Sequence, residues 1–153
     1  KYVTELADAG IVGGYADNSY QPFQPVTYGA ALKLILLSAG YPEQEPVGDN
    51  VFSGYLARAR LERILPSSDI DLTVYITRLQ AAELTAAAMK LDTSHLSSVR
   101  PFLDTDSSAV QALNDAGIFN GYFENGVSSF RPHGTVTRGQ LAAIVWRMRN
   151  YTE

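Results

Sequence analysis

Two arginines stand where helices should begin. Arg78 and Arg138 directly follow Thr77 and Thr137, and each phrase closes on a glutamine, Gln80 and Gln140. Thr-x-x-Gln is a capping box: the hydroxyl accepts from the third peptide N–H of the helix, and the amide reaches back to the N-cap N–H. A cation in the first turn sits where the macrodipole is already positive, so helix formation gives no reason to repeat it. An arginine beside backbone N–H groups is instead a receptor for a carboxylate or phosphate. The alternative is that each arginine turns outward to an acid such as Glu83. After Thr27 stands Tyr28, which offers one neutral hydroxyl, so an anion should favour Arg78 and Arg138. The candidate ligand-binding set is Arg78, Arg138, Tyr28, Gln80 and Gln140, with the threonines and glutamines serving mainly as caps. Neither guanidinium belongs to the capping bonds, so truncating either should leave the fold intact.

Other chemistry has little to work with. His95 and His133 are the two imidazoles and there is no cysteine, so no zinc set is expected. Asp17-Asn18-Ser19 and Asp104-Thr105-Asp106 lack the following glycine and glutamate of a calcium loop. No Gly-x-Ser-x-Gly elbow and no paired-carboxylate motif is present, so the chain is read as non-catalytic and free of cofactors. A net charge of −4 with a pI near 5.1 opposes nucleic-acid binding. The apolar runs fall short of the roughly 20 residues a membrane-crossing helix needs. Tyr15, Tyr20, Tyr122 and Phe130 read as lids over a small core more than as sugar-stacking rings.

These residues must be held by a repeated unit. Leu6-Ala7-Asp8-Ala9-Gly10-Ile11-Val12-Gly13-Gly14-Tyr15 matches Leu113-Asn114-Asp115-Ala116-Gly117-Ile118-Phe119-Asn120-Gly121-Tyr122, and Val74 to Gln80 carries the Val/Ile-Thr-Arg phrase again. Thr27, Thr77 and Thr137 lie 50 and 60 residues apart. Each unit reads as helix, loop, helix. Gly117 followed by Ile118 predicts a helix stop with a left-handed glycine, and Arg63 occupies that place in the middle unit, where it should terminate the helix less well. Leu141, Ile144, Val145 and Met148 form one apolar stripe behind the last box. The expectation is a single all-α domain over 1–153, with units at 1–45, 46–95 and 96–153. Because Lys1-Tyr2-Val3 already lies within an apolar pattern, the first unit is expected to lack its beginning.

Gly117-Ile118-Phe119-Asn120-Gly121, Phe130-Arg131-Pro132 and Val136-Thr137-Arg138-Gly139-Gln140, in that order, resemble the S-layer homology domain. Gln80 and Gln140 stand where its phrase usually has glutamate, and Tyr28 and Ala30 replace its arginine and acid. The resemblance implies a pseudo-threefold bundle of three helix-loop-helix repeats with grooves around the rim. It also implies a non-catalytic anchor in the cell wall at the bacterial surface, holding a secondary cell-wall polysaccharide with a pyruvylated amino sugar. Its partners would be that polymer and covalently linked effector domains. The competing reading is a structural or protein-interaction module whose grooves no longer bind carbohydrate.

Overall fold

The chain, seen in a computed structural model, is described over residues 23–65, 69–94, 96 and 101–151. The expected stop at Gly10-Ile11, the loop residues Tyr15, Tyr20 and Asp17-Asn18-Ser19, and His95 lie outside those residues.

Five helices and one hairpin follow in order: α1 (Tyr28–Ser38), α2 (Ser53–Leu61), α3 (Arg78–Ala88), α4 (Ser108–Asp115), β1 (Tyr122–Glu124), β2 (Val127–Ser129) and α5 (Arg138–Arg149). The starts are local chemistry. Thr27 Oγ1 accepts from Ala30 N, and both Thr77/Gln80 and Thr137/Gln140 close complete capping boxes. Ser107 caps α4 in the same manner. Each such cap stabilises its helix by about 1 kcal/mol.

The stops are local as well. Gly117 has φ 73°, its N–H donates to Asn114 O at 3.1 Å, and Ile118 N–H reaches Leu113 O at 2.9 Å. That is the two-bond Schellman closure expected for this glycine. Around Arg63, at φ 58°, the same pair forms, Arg63 N–H donating to Arg60 O and Ile64 N–H to Ala59 O, so the backbone turn is shared although the residue is not glycine. Gly40 and Lys90 end α1 and α3 identically.

The three segments that precede α1, α3 and α5 meet through their backbones. Val26 N–H donates to Val136 O, Val136 N–H to Ile76 O, and Ile76 N–H to Val26 O, closing a ring at 3.1, 3.3 and 2.9 Å. Their side chains, together with Leu32, Ile35, Leu84, Leu113, Leu141 and Ile144, are buried in one core.

The all-α, pseudo-threefold bundle of three helix-loop-helix repeats is corrected on two counts. The loop between α4 and α5 holds a two-stranded antiparallel sheet, with Tyr122 opposite Ser129 and Glu124 opposite Val127, so the architecture is mixed. Asn125-Gly126 is the cause: both residues take positive φ, 53° and 78°, as a tight two-residue hairpin turn requires. The helices also do not pack in threefold fashion. α1 lies against both α3 and α5, but α3 and α5 share no comparable contact, and α3 instead packs on α4.

Candidate functional site

Arg78 does not turn outward. It is 4% exposed, although it sits in the first turn of α3. Its Nε donates to Phe130 O at 2.7 Å and an Nη to Asn120 O at 2.9 Å, crossing to the loop that joins α4 to α5. Three rings surround the guanidinium: Phe119, Tyr122 and Phe130, with centroids 4.8, 4.7 and 4.9 Å away. Cation–π attraction is strongest where the cation has lost its water, so such a cage is a stable place for a buried charge. Burial holds the Arg78 guanidinium below its ordinary pKa, with Arg131 acting in the same direction and Tyr122 and Asp104 against it. It remains a cation, since arginine does not lose its proton in proteins.

The cage is itself braced. Asp104 accepts from Phe130 N–H and Arg131 N–H, both at 2.8 Å, and thereby fixes the peptide whose carbonyl receives Arg78. Burial pushes the Asp104 carboxyl up, but these two N–H bonds and the Arg78 charge leave it below the usual range. Outside the cage, Arg131 lies 3.8 Å over the Tyr122 ring and pairs with Glu124 at 2.8 Å. Gly121 must be small here, because an added Cβ would run into the Phe102 ring and Ser129 O.

Arg78 closes the inner end of a cleft of about 200 Å³ between residues 119–122 and α5. The α5 wall is Gln140, Ala143, Ile144 and Arg147, one face at spacings of three and four. Arg147 also donates to Ile118 O at 3.3 Å. Two guanidiniums line this cleft and none of its lining residues carries a carboxylate, in a chain whose net charge is −4.

The other candidates are dispersed. Arg138 is half-buried in a separate cleft of about 260 Å³ with Pro25, Thr27, Ala30, Leu34 and Leu141. Tyr28 is buried in the core, where desolvation and the Glu83 charge push its phenol up to about 12. Gln80 is exposed and lines neither cleft. Of the five candidates, Arg78 and Gln140 come together. The backbone donors expected beside the arginines are taken: Arg78 N–H by Gly134 O, Leu79 N–H by Pro132 O and Arg138 N–H by Gln24 O. Beside Arg78, side chains are therefore left to hold a ligand. Arg147 was not among the candidates, but its place seven residues after Gln140 on one helix put it on the same face.

The order of these pieces is also that of a known family model. The S-layer homology domain matches residues 1–32 and 103–142, the second stretch running from the Asp104 brace through the cage to Leu141 and Ala142. The chain carries S-layer homology domain sequence at both ends. S-layer homology domains are in general modules that attach proteins to the cell wall. No described helix is long and apolar enough to cross a membrane. A search of curated proteins returned no match to the chain.

Proposed function

We propose that the chain anchors a larger surface protein by holding an anionic secondary cell-wall polysaccharide, with a pyruvylated amino sugar seated in the cleft between residues 119–122 and α5. One observation carries this reading: the cleft is lined by Arg78 and Arg147 and by no carboxylate, against the sign of the whole chain. Arg78 supplies a fixed positive field from the floor. Arg147, Gln140 and Tyr122 supply donors at the wall. An ionised ketal carboxylate matches both, since charge-assisted hydrogen bonds are roughly twice as strong as neutral ones. The cleft at Arg138 is a second, more apolar station for the same polymer. The middle segment, 46–95, is a further divergent unit of the same module. Its support is the repeated Thr77/Gln80 box and the left-handed stop at Arg63.

Isothermal titration with purified wall polymer, native and stripped of its ketal, tests the reading. Native polymer should bind, stripped polymer should bind at least about tenfold more weakly, and Arg147→Ala should abolish most of that difference. Equal binding of the two polymers, or none of either, would overturn it and favour a protein-interaction module.

A further inference from the structure

Asn-Gly is the dipeptide most open to loss of its side-chain amide, because glycine leaves the following peptide nitrogen unshielded, and it occurs twice, at Asn120-Gly121 and Asn125-Gly126. The two differ in their surroundings. Asn125 and Gly126 form the exposed hairpin turn, where the neighbouring guanidinium, Arg131, is engaged by Glu124. Asn120 instead has its carbonyl on Arg78, whose Nη donates to it at 2.9 Å. The rest of this step is unengaged: Asn120 is exposed, and no described residue bonds its side-chain amide, its own N–H or the Gly121 N–H. The peptide is held by its oxygen while the side chain that must swing is free. Glycine is also obligatory here, since a Cβ on Gly121 would run into the Phe102 ring and Ser129 O.

The reaction has two steps. The Gly121 nitrogen, its proton lost to hydroxide, attacks Asn120 Cγ; the new N–Cγ bond forms as the Cγ–amide bond breaks, and the amide leaves as ammonia, giving a cyclic imide. Water then opens the imide at one of its two carbonyls. Breaking the bond from Gly121 N to Cγ gives aspartate, and breaking the bond from Gly121 N to the original Asn120 carbonyl gives isoaspartate. One water is consumed, one ammonia is released, and nothing is oxidised or reduced. In the first step the negative charge of the ionised peptide rests largely on Asn120 O, where Arg78 already donates. In the second step the same oxygen belongs to the carbonyl whose attack yields isoaspartate. A preorganised cation aimed at the atom where charge develops is the arrangement that lowers such barriers.

The product also answers a need of the cage. Arg78 is a buried cation bonded to two carbonyls and faced by three rings, and no described carboxylate pairs with it. A buried charge is stabilised by a hydrogen-bonded counter-ion. We infer that Asn120 is a site of spontaneous covalent modification, at which Arg78 promotes loss of the amide and directs the product to isoaspartate, whose new carboxylate becomes the counter-ion of the guanidinium. The chemistry does not depend on what the cleft binds.

The experiment follows both Asn-Gly steps in one chain. The folded protein is aged in mildly alkaline buffer, with a parallel sample in denaturing urea. Peptide mapping by mass spectrometry gives the deamidation rate at each site, and labelling by an isoaspartate methyltransferase separates isoaspartate from aspartate. One oxyanion donor contributes about a hundredfold or more, and the clamped loop offsets part of it, so Asn120 should convert about tenfold faster than Asn125 in the folded chain. Its isoaspartate fraction should exceed that of the same site in urea, where the two sites should react at like rates. In Arg78→Ala, Asn120 should fall to the rate of Asn125 while Asn125 keeps its wild-type rate. If that variant unfolds, Asn125 accelerates as well, and the folded and urea-treated wild-type samples decide alone. Asn120 reacting no faster than Asn125 in the folded wild type, or giving the product ratio of the unfolded chain, would overturn the inference, as would an undiminished Asn120 rate in folded Arg78→Ala.

Discussion

The first turns of α3 and α5 are nearly the same peptide with different fates. Both open Thr-Arg-x-Gln, both N-caps hold φ −85° and ψ 161°, and both close the capping box. Yet Arg78 is buried in a cage of three rings, while Arg138 stays half-buried at a separate, more apolar cleft. Gln80 is exposed, while its counterpart Gln140 holds a tyrosine. A cap is decided within four residues. What a first-turn side chain does beyond the cap is decided by the loop that covers it, and the loop over α3 carries Phe119, Tyr122 and Phe130.

The largest expected effect breaks this comparison outright. Arg78→Ala removes two charge-assisted bonds, leaves Phe130 O and Asn120 O without their donor, and opens a hole among three rings. That should lower stability by about 3 kcal/mol. Arg138→Ala, at a half-buried site, should lower it by less than about 1 kcal/mol. Paired urea denaturation of the two variants checks the contrast, and equal losses would mean the cage contributes nothing. The earlier expectation that both truncations leave the fold intact therefore fails for Arg78, because its side chain became part of the core.

The third helix start, at Tyr28, sharpens the contrast through pH. Its folded pKa is raised to about 12 from an ordinary 10, so the neutral phenol is the form the fold prefers. The associated stability is fully present below pH 10 and is lost as pH rises through the folded value. Each pKa unit corresponds to about 1.4 kcal/mol, and discounting for residual solvent screening leaves about 2 kcal/mol. Denaturation curves at pH 9 and above should show this loss in the wild type and its absence in Tyr28→Phe.

Legibility follows the range of the interaction. Both capping boxes and the Gly117 stop were readable because the bonds that make them span three to five residues. The left-handed turn at Arg63 was readable from its alignment with glycine. The hairpin departs from the helix-loop-helix pattern although Asn125-Gly126 is a strong local signal, because the turn residues fix a two-residue loop and the repeat carries no trace of it. The burial of Arg78 was not readable at all: its partners lie 42 and 52 residues away, and no pattern within α3 points to them. The cleft was half visible, through Gln140 but not Arg147.

If caps are local, the two boxes must respond alike where the arginines do not. The Thr77 and Thr137 hydroxyls each accept from a glutamine N–H at 3.1 Å. Thr77→Ala and Thr137→Ala should each lower stability by about 1 kcal/mol, equal within a few tenths. Thermal melts of the two variants measure this. A twofold difference would show that the surrounding loops reach into the caps as well.

The smallest effect tests the same locality at the other end of the helices. α2 and α4 finish in the same two-bond closure, one around Arg63 and one around Gly117. Around Gly117 there is open space for a Cβ, so Gly117→Ala meets no clash and isolates the backbone strain of a side chain at φ 73°, about 1 kcal/mol. Arg63→Gly runs the opposite way. Arg63 is exposed, so little packing is lost, and the strain at φ 58° is relieved. Glycine also loosens the unfolded chain, which offsets part of the gain. The balance should be a stabilisation of about 0.5 kcal/mol, visible as a small rise in Tm. A fall in Tm for Arg63→Gly would mean that Arg63 makes a stabilising contact through its side chain, and that the two helix ends are alike in backbone only.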